Sequence, residues 1–174
     1  MLIDSRIDEW HGLFVMTGSE DRVKERVKYR LKEGYRVVVP KRKLKIRKGG
    51  IWRVETKVLF PGYVLINGEI TTDTYYQLKN IPSVVRLLKT GKIVASIDKG
   101  EMTVLSKLIC NNEEIGFSNV LLENGRVQVI DGPLFSLEGI ILSIDHRKER
   151  AKVRLTFLGE ERTADLGISL LRPV

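Results

Sequence analysis

The 174-residue chain has one cysteine, Cys110, and two histidines, His11 and His146. A lone thiol excludes an intramolecular disulfide and fits a reducing cytoplasm. One cysteine and two histidines also fall short of a Cys/His zinc quartet, so neither a metal nor another cofactor is expected. No apolar run approaches the ~18 residues that a membrane helix needs. The opening segment, MLIDSRIDEW, carries three acids and no apolar core, so it does not read as a signal peptide. Neither a phosphate-cradling P-loop nor a dinucleotide glycine fingerprint is present. No acid–base cluster stands out, and the chain reads as a cytoplasmic non-enzyme.

What the chain has in excess is positive charge. There are 30 Lys+Arg against 22 Asp+Glu, for a net charge of +8. The excess lies before residue 110, where 22 basic side chains meet 12 acidic ones; the remainder has 8 and 10. Seven basic residues fall between Arg22 and Arg36, and eight between Lys41 and Lys57. Such density attracts polyanions, although a solvated basic surface has the same composition. The C-terminal part is net acidic but contains one basic strip, His146-Arg-Lys-Glu-Arg-Ala-Lys-Val-Arg154.

Periodicity divides the chain at residues 112–121, a polar stretch that reads as a linker between an N-terminal domain (1–111) and a C-terminal one (122–174). The first domain opens with an aromatic strand, Trp10–Met16. A helix over 20–33 follows, with Val23, Val27 and Leu31 on one stripe, Ser19 as N-cap and Gly34 as stop. Tyr35–Val39, Tyr63–Ile66 and Ser83–Leu88 read as buried strands, and Asp73–Lys79 as a short helix. A last helix runs from the Asp98/Glu101 capping box to about Cys110. Gly49-Gly50 joins two basic arms into a projecting hairpin or loop. This order predicts an α+β, ferredoxin-like domain. Beyond the linker, short strands at Arg126–Ile130, Gly139–Asp145, Ala151–Leu158, Arg162–Leu166 and Ser169–Arg172 predict a small five-stranded antiparallel β-barrel.

Two motifs now stand together. One is Lys57-Val-Leu-Phe-Pro-Gly-Tyr-Val-Leu-Ile66, preceded by Trp10 and Gly18-x-Glu20. The other is Arg126-Val-x-Val-Ile-Asp-Gly-Pro133, then Glu138-Gly139, Lys152-Val-Arg154 and Phe157-x-Gly159. The first resembles the N-terminal domain of NusG-family transcription factors. The second resembles the SH3-like KOW domain, with Asp131, Gly132 and Gly139 as its motif. Leu13 to Glu20 is similar to the LoaP branch of specialised NusG paralogues, which act in processive antitermination.

The resemblance implies that the first domain binds the clamp helices of RNA polymerase. It assigns Trp10, His11, Phe14, Phe60 and Tyr63 to that surface, and Thr74 and Tyr75 to the other side of the polymerase cleft. Aromatics held at a strand entrance by a Pro-Gly turn suit a binding hot spot, although from the residues alone they suit a core better. The resemblance further implies that the KOW domain binds a structured RNA hairpin. Basic side chains are the usual contacts to RNA phosphates, which offers Arg126, His146, Arg147, Lys148, Arg150, Lys152, Arg154 and Arg162. By charge alone, the Lys41–Lys57 arm is expected to approach upstream DNA or nascent RNA, and upstream or non-template DNA is an expected further partner of the chain. The chain is expected to be a monomer. Two other readings stay open: a general NusG factor coupling polymerase to ribosome or Rho, and a ribosome-associated KOW RNA-binding protein. Leu134 replaces the Phe often found after Gly-Pro in general factors, and that Phe helps make the ribosome and Rho contacts.

Overall fold

The computed structural model describes residues 9–109 and 113–172. Cys110 and the opening segment up to Asp8 lie outside it, as do residues 111 and 112 at the start of the expected linker. In chain order the elements are β1 (Trp10–Val15), α1 (Glu20–Leu31), β2 (Arg36–Val38), β3 (Lys41–Lys48), β4 (Ile51–Val58), β5 (Tyr63–Asn67), α2 (Thr72–Lys79) and β6 (Val84–Leu87). Next come β7 (Lys89–Thr90), β8 (Ile93–Val94), α3 (Lys99–Leu108), β9 (Glu114–Ile115), β10 (Ser118–Glu123) and β11 (Arg126–Asp131). A 3-10 turn (Glu138–Ile140), β12 (Ile141–Asp145), β13 (Arg150–Phe157) and β14 (Glu160–Leu171) complete the chain. The described residues form two compact units, 9–39 with 60–102, and 40–59 with 103–109 and 113–172.

The first unit holds a four-stranded sheet in the order β2-β5-β1-β6, with every neighbouring pair antiparallel. With α1 after β1 and α2 after β5, this is a split βαβ arrangement. Strand alternation sends Leu13, Val15, Val64 and Ile66 to a fully buried face. Trp10, Phe14 and Tyr63 go to the opposite face and stay half-exposed. Helix α1 buries Val23, Val27 and Leu31, the stripe legible in its sequence. Ser19 sits at the N-cap position but makes no side-chain cap. Helix α2 is capped by Thr71, whose Oγ1 accepts from the Thr74 amide at 3.1 Å. Asp98 Oδ2 accepts from the amides of Gly100 (2.9 Å) and Glu101 (3.2 Å) at the start of α3.

The second unit differs from the sequence expectation in three ways. First, the basic arms form a hairpin, β3–β4, that belongs to this unit and not to the N-terminal one. Its sheet runs β4-β3-β9, closed by a parallel pairing of Lys41 and Arg42 with Glu114 and Ile115. Second, the supposed linker is largely strand. Ser118 and Val120 alternate inward and are buried, and polar Asn119 between them hides that period. Third, β14 is one strand of 12 residues. Gly167, which falls between two expected strands, lies inside it; glycine is required there because a Cβ would lie 2.4 Å from the Lys43 carbonyl oxygen and from the Phe117 ring.

The resulting five-stranded sheet has the order β11-β10-β14-β13-β12. It is not wholly antiparallel: β10 and β14 pair in parallel from Ser118↔Ile168 to Leu121↔Leu171. Along β13, Ala151, Val153, Leu155 and Phe157 are buried while Lys152, Arg154 and Thr156 face out.

Candidate functional site

In the first unit the aromatic surface grows from strand register. Phe14 on β1 lies opposite Tyr63 on β5 and opposite Arg86 on β6. The Phe14 and Tyr63 rings meet at 5.5 Å between centroids, tilted by 57°. The Arg86 guanidinium stands 5.7 Å above the Phe14 ring. Further along the same face, Arg36 lies 5.5 Å over the Trp10 ring. Beneath this row, the Glu20 carboxylate takes the amides of Gly18 (3.0 Å) and Gly62 (2.9 Å). The Gly18-x-Glu20 and Phe60–Tyr63 motifs are therefore one structural feature. Gly62 has φ +88°, and a Cβ there would lie 3.3 Å from the Phe14 ring.

Three residues assigned by resemblance to the polymerase surface are placed otherwise. Phe60 is 4% exposed, so its ring is core and offers no contact area. His11 is 3% exposed, and its Nδ1 lies 3.1 Å from the Ala95 carbonyl oxygen. A carbonyl only accepts, so Nδ1 carries the proton and the ring clamps the 95–96 segment to β1. Thr74 is buried with its hydroxyl within 3.0 Å of both Thr71 Oγ1 and the Tyr35 hydroxyl, a capping role. Tyr75 is half-buried beneath Lys89, whose Nζ is 3.9 Å from the ring centroid. The Lys89 ammonium draws the Tyr75 phenol below its ordinary range.

In the second unit the basic strip forms the β12–β13 hairpin. Asp145 Oδ1 accepts from the amides of Arg147 (3.0 Å) and Lys148 (2.9 Å), which tightens the turn. Those bonds, the Lys148 amide foremost, hold the Asp145 carboxyl below the usual carboxylate range. His146, Arg147 and Lys148 are exposed at the tip, and Lys152 and Arg154 are exposed along β13. A concavity of about 600 Å³ runs along this hairpin from the turn to Lys152.

Three other basic candidates are paired. Arg154 pairs with Glu161 at 3.3 Å, and Arg162 with Glu160 at 3.3 Å. Arg150 is mostly buried, 3.8 Å from Asp165 and donating to the Lys45 carbonyl. Arg126 lies at the far edge of the sheet order and lines a different concavity with Glu123 and Gln128. The KOW-like motif is structural: Gly132 has φ +98°, and a Cβ would lie 2.6 Å from Ser118 Cα. The Ser118 hydroxyl accepts from the Leu134 amide at 2.9 Å. Asp131 accepts from Asn119 at 2.7 Å, and Gly139 sits in open space.

The β3–β4 arm is far less free than its composition suggests. Arg42 donates to the Asp165 carbonyl oxygen at 2.8 Å, Lys43 pairs with Glu114, and Lys45 with Glu149. Lys48 and Lys57 share Glu55. Burial pulls the Arg42 guanidinium below its ordinary range, against the opposing pull of Asp165. Among the described residues no group of three or more His, Cys, Asp or Glu is placed to hold a metal ion, and no helix is long and apolar enough to cross a membrane.

The family described as "Transcription termination factor nusG" matches residues 8–106. The transcription termination/antitermination protein NusG of Bacillus subtilis (strain 168) is 30% identical over 167 residues, 90% of this chain and 93% of that protein. Its Haemophilus influenzae counterpart is 28% identical, covering 90% and 89%. A solved structure described as "Domain interaction in Thermotoga maritima NusG" covers 91% of this chain and 93% of its own with a TM-score of 0.59 at 23% identity, a likeness of fold. With a family match over more than half of its residues and relatives similar along nearly their whole length, the chain belongs to the NusG family of transcription termination/antitermination proteins.

Proposed function

We propose that this protein is a processive antitermination and elongation factor that holds RNA polymerase through its first unit and a structured leader RNA through its second. The Phe14–Tyr63–Arg86 row, with Trp10 beside it, is the polymerase-binding surface. It supports that role because half-exposed aromatics held rigid by strand pairing and by Glu20 lose little entropy on docking. The His146–Lys148 tip, with Lys152 along the strand, is the RNA-binding surface. The observation that carries the RNA half is the Asp145-ordered turn, which presents three adjacent basic side chains to solvent. Tethering two moderate sites in one chain raises effective concentration, so polymerases carrying the RNA signal would be selected.

A specific observation also favours the general NusG reading, in which polymerase is coupled to ribosome or Rho. Leu134 is buried, but its neighbour Phe135 is 58% exposed, which leaves an aromatic for a protein partner on the second unit. The separating experiment compares RNA affinity and polymerase binding of the full chain and of Arg147→Ala/Lys148→Ala. Loss of RNA binding with polymerase binding retained supports the leader-RNA reading. No RNA affinity in either protein assigns the chain to the general role.

A further inference from the structure

We propose that the β3–β4 hairpin and the basic turn form one composite RNA site, in which Trp52 is a stacking platform for unpaired bases. The proposal rests on the RNA-binding reading above and extends it to single-stranded RNA. Strand pairing places Lys45 opposite Val54 and Arg47 opposite Trp52, so alternation puts all four on one face of the hairpin. On that face Lys45 reaches the Glu149 carboxylate, and the Arg150 guanidinium donates to the Lys45 carbonyl at 3.3 Å. Both partners lie at the end of the basic turn. Arg47 is two residues farther on, about 7 Å along the strand. The Lys45–Glu149 pair therefore joins the face that carries Arg47 and Trp52 to the end of the basic turn.

The tip is built unlike a solvated basic loop. Trp52 is 49% exposed, with Ile51 and Val54 exposed beside it. β4 is the outer strand of its sheet, and the Arg47 guanidinium lies 5.9 Å from the Trp52 ring. An exposed indole with Arg47 against it has the chemistry that single-stranded nucleic acid uses: a π-face for a base and a cation for the backbone. Charge settles the occupant, since an anionic ligand fits these cations and a neutral apolar one does not.

The hairpin is seated for this work. Leu44 is 3% exposed, so its side chain anchors the hairpin in the core of this unit. Each partly exposed ion pair adds little beside that burial. Apolar burial seats the hairpin, Lys43 approaches Gly167 closely, and the ion pairs join it to Glu114 and Glu149.

The test uses the full chain with two probes, a 12-nucleotide oligouridylate and a blunt 12-base-pair RNA duplex, read by fluorescence anisotropy and tryptophan quenching. Trp52→Ala is expected to weaken oligouridylate binding about tenfold and to leave duplex binding within about twofold. Trp52→Phe, which keeps an aromatic face, is expected to restore most of the oligouridylate affinity. Arg147→Ala/Lys148→Ala is expected to weaken both probes. If Trp52→Ala binds oligouridylate as the parent does while the turn variant loses both probes, the platform is refuted and the RNA reading survives. If the parent binds neither probe, both are refuted.

Discussion

Glu20, at the first position of α1, holds the Gly62 amide at 2.9 Å across 42 residues of sequence. Its second oxygen holds Gly18, so one buried carboxylate joins the turn before α1 to the Pro-Gly turn before β5. Removing it leaves two amides without an acceptor. Hydrogen bonds to a charged group contribute about 1.5–3 kcal/mol each, and Glu20→Ala is expected to cost at least about 2 kcal/mol of the first unit's stability. Urea unfolding checks this, and Glu20→Gln, which keeps one acceptor oxygen, should fall between the two.

The aromatic row separates binding from folding. Tyr63→Ala is expected to weaken polymerase binding strongly with little change in the unfolding midpoint, because Tyr63 is half-exposed. Phe60→Ala should instead cost about 3–5 kcal/mol of stability, as for any large core aromatic. Denaturation and co-elution with core polymerase, measured on both variants, distinguish them.

The two glycines of the KOW-like motif should behave oppositely. Gly132→Ala meets Ser118 Cα at 2.6 Å in a left-handed backbone and is expected to cost at least about 2 kcal/mol. Gly139→Ala meets nothing within 4 Å and is expected to change stability by less than about 0.5 kcal/mol. Thermal unfolding of the two variants side by side is sufficient.

Acid should loosen the second unit. The Lys45 ammonium, assisted by the Leu170 amide, holds the Glu149 carboxyl below its ordinary range. Its folded pKa is lower than its unfolded one, so this stabilisation is complete above the unfolded value of about 4.3. It is lost as pH falls through the folded value. Glu149→Gln is expected to lower the unfolding midpoint at pH 7 and to flatten its decline below about pH 4.5, read from melting curves across pH.

Local signals in the sequence were informative about the first unit. The stripe Val23–Val27–Leu31 and the Asp98 cap are signals contained within one helix, and each appears in the structure. What a single strand could not disclose is which face its neighbours cover. Phe60, His11 and Thr74 carry side chains suited to a binding surface, and tertiary packing buries all three. The same holds for the hairpin. Its composition reads as a free basic arm, but its partners Glu114, Glu149 and Asp165 lie more than 60 residues away. Gly167 misleads for a related reason: it admits a neighbouring backbone, and close approach leaves no local signature. Trp52 stood in plain view, and its exposure beside Arg47 is what marks it.

The most direct test of the whole account is single-round transcription through a terminator with purified polymerase, with the native leader RNA present or deleted. The account predicts read-through that needs the leader and is lost in Arg147→Ala/Lys148→Ala. Read-through of equal size without the leader would contradict the RNA-recruited mechanism, and no effect on either template would contradict the polymerase-bound one.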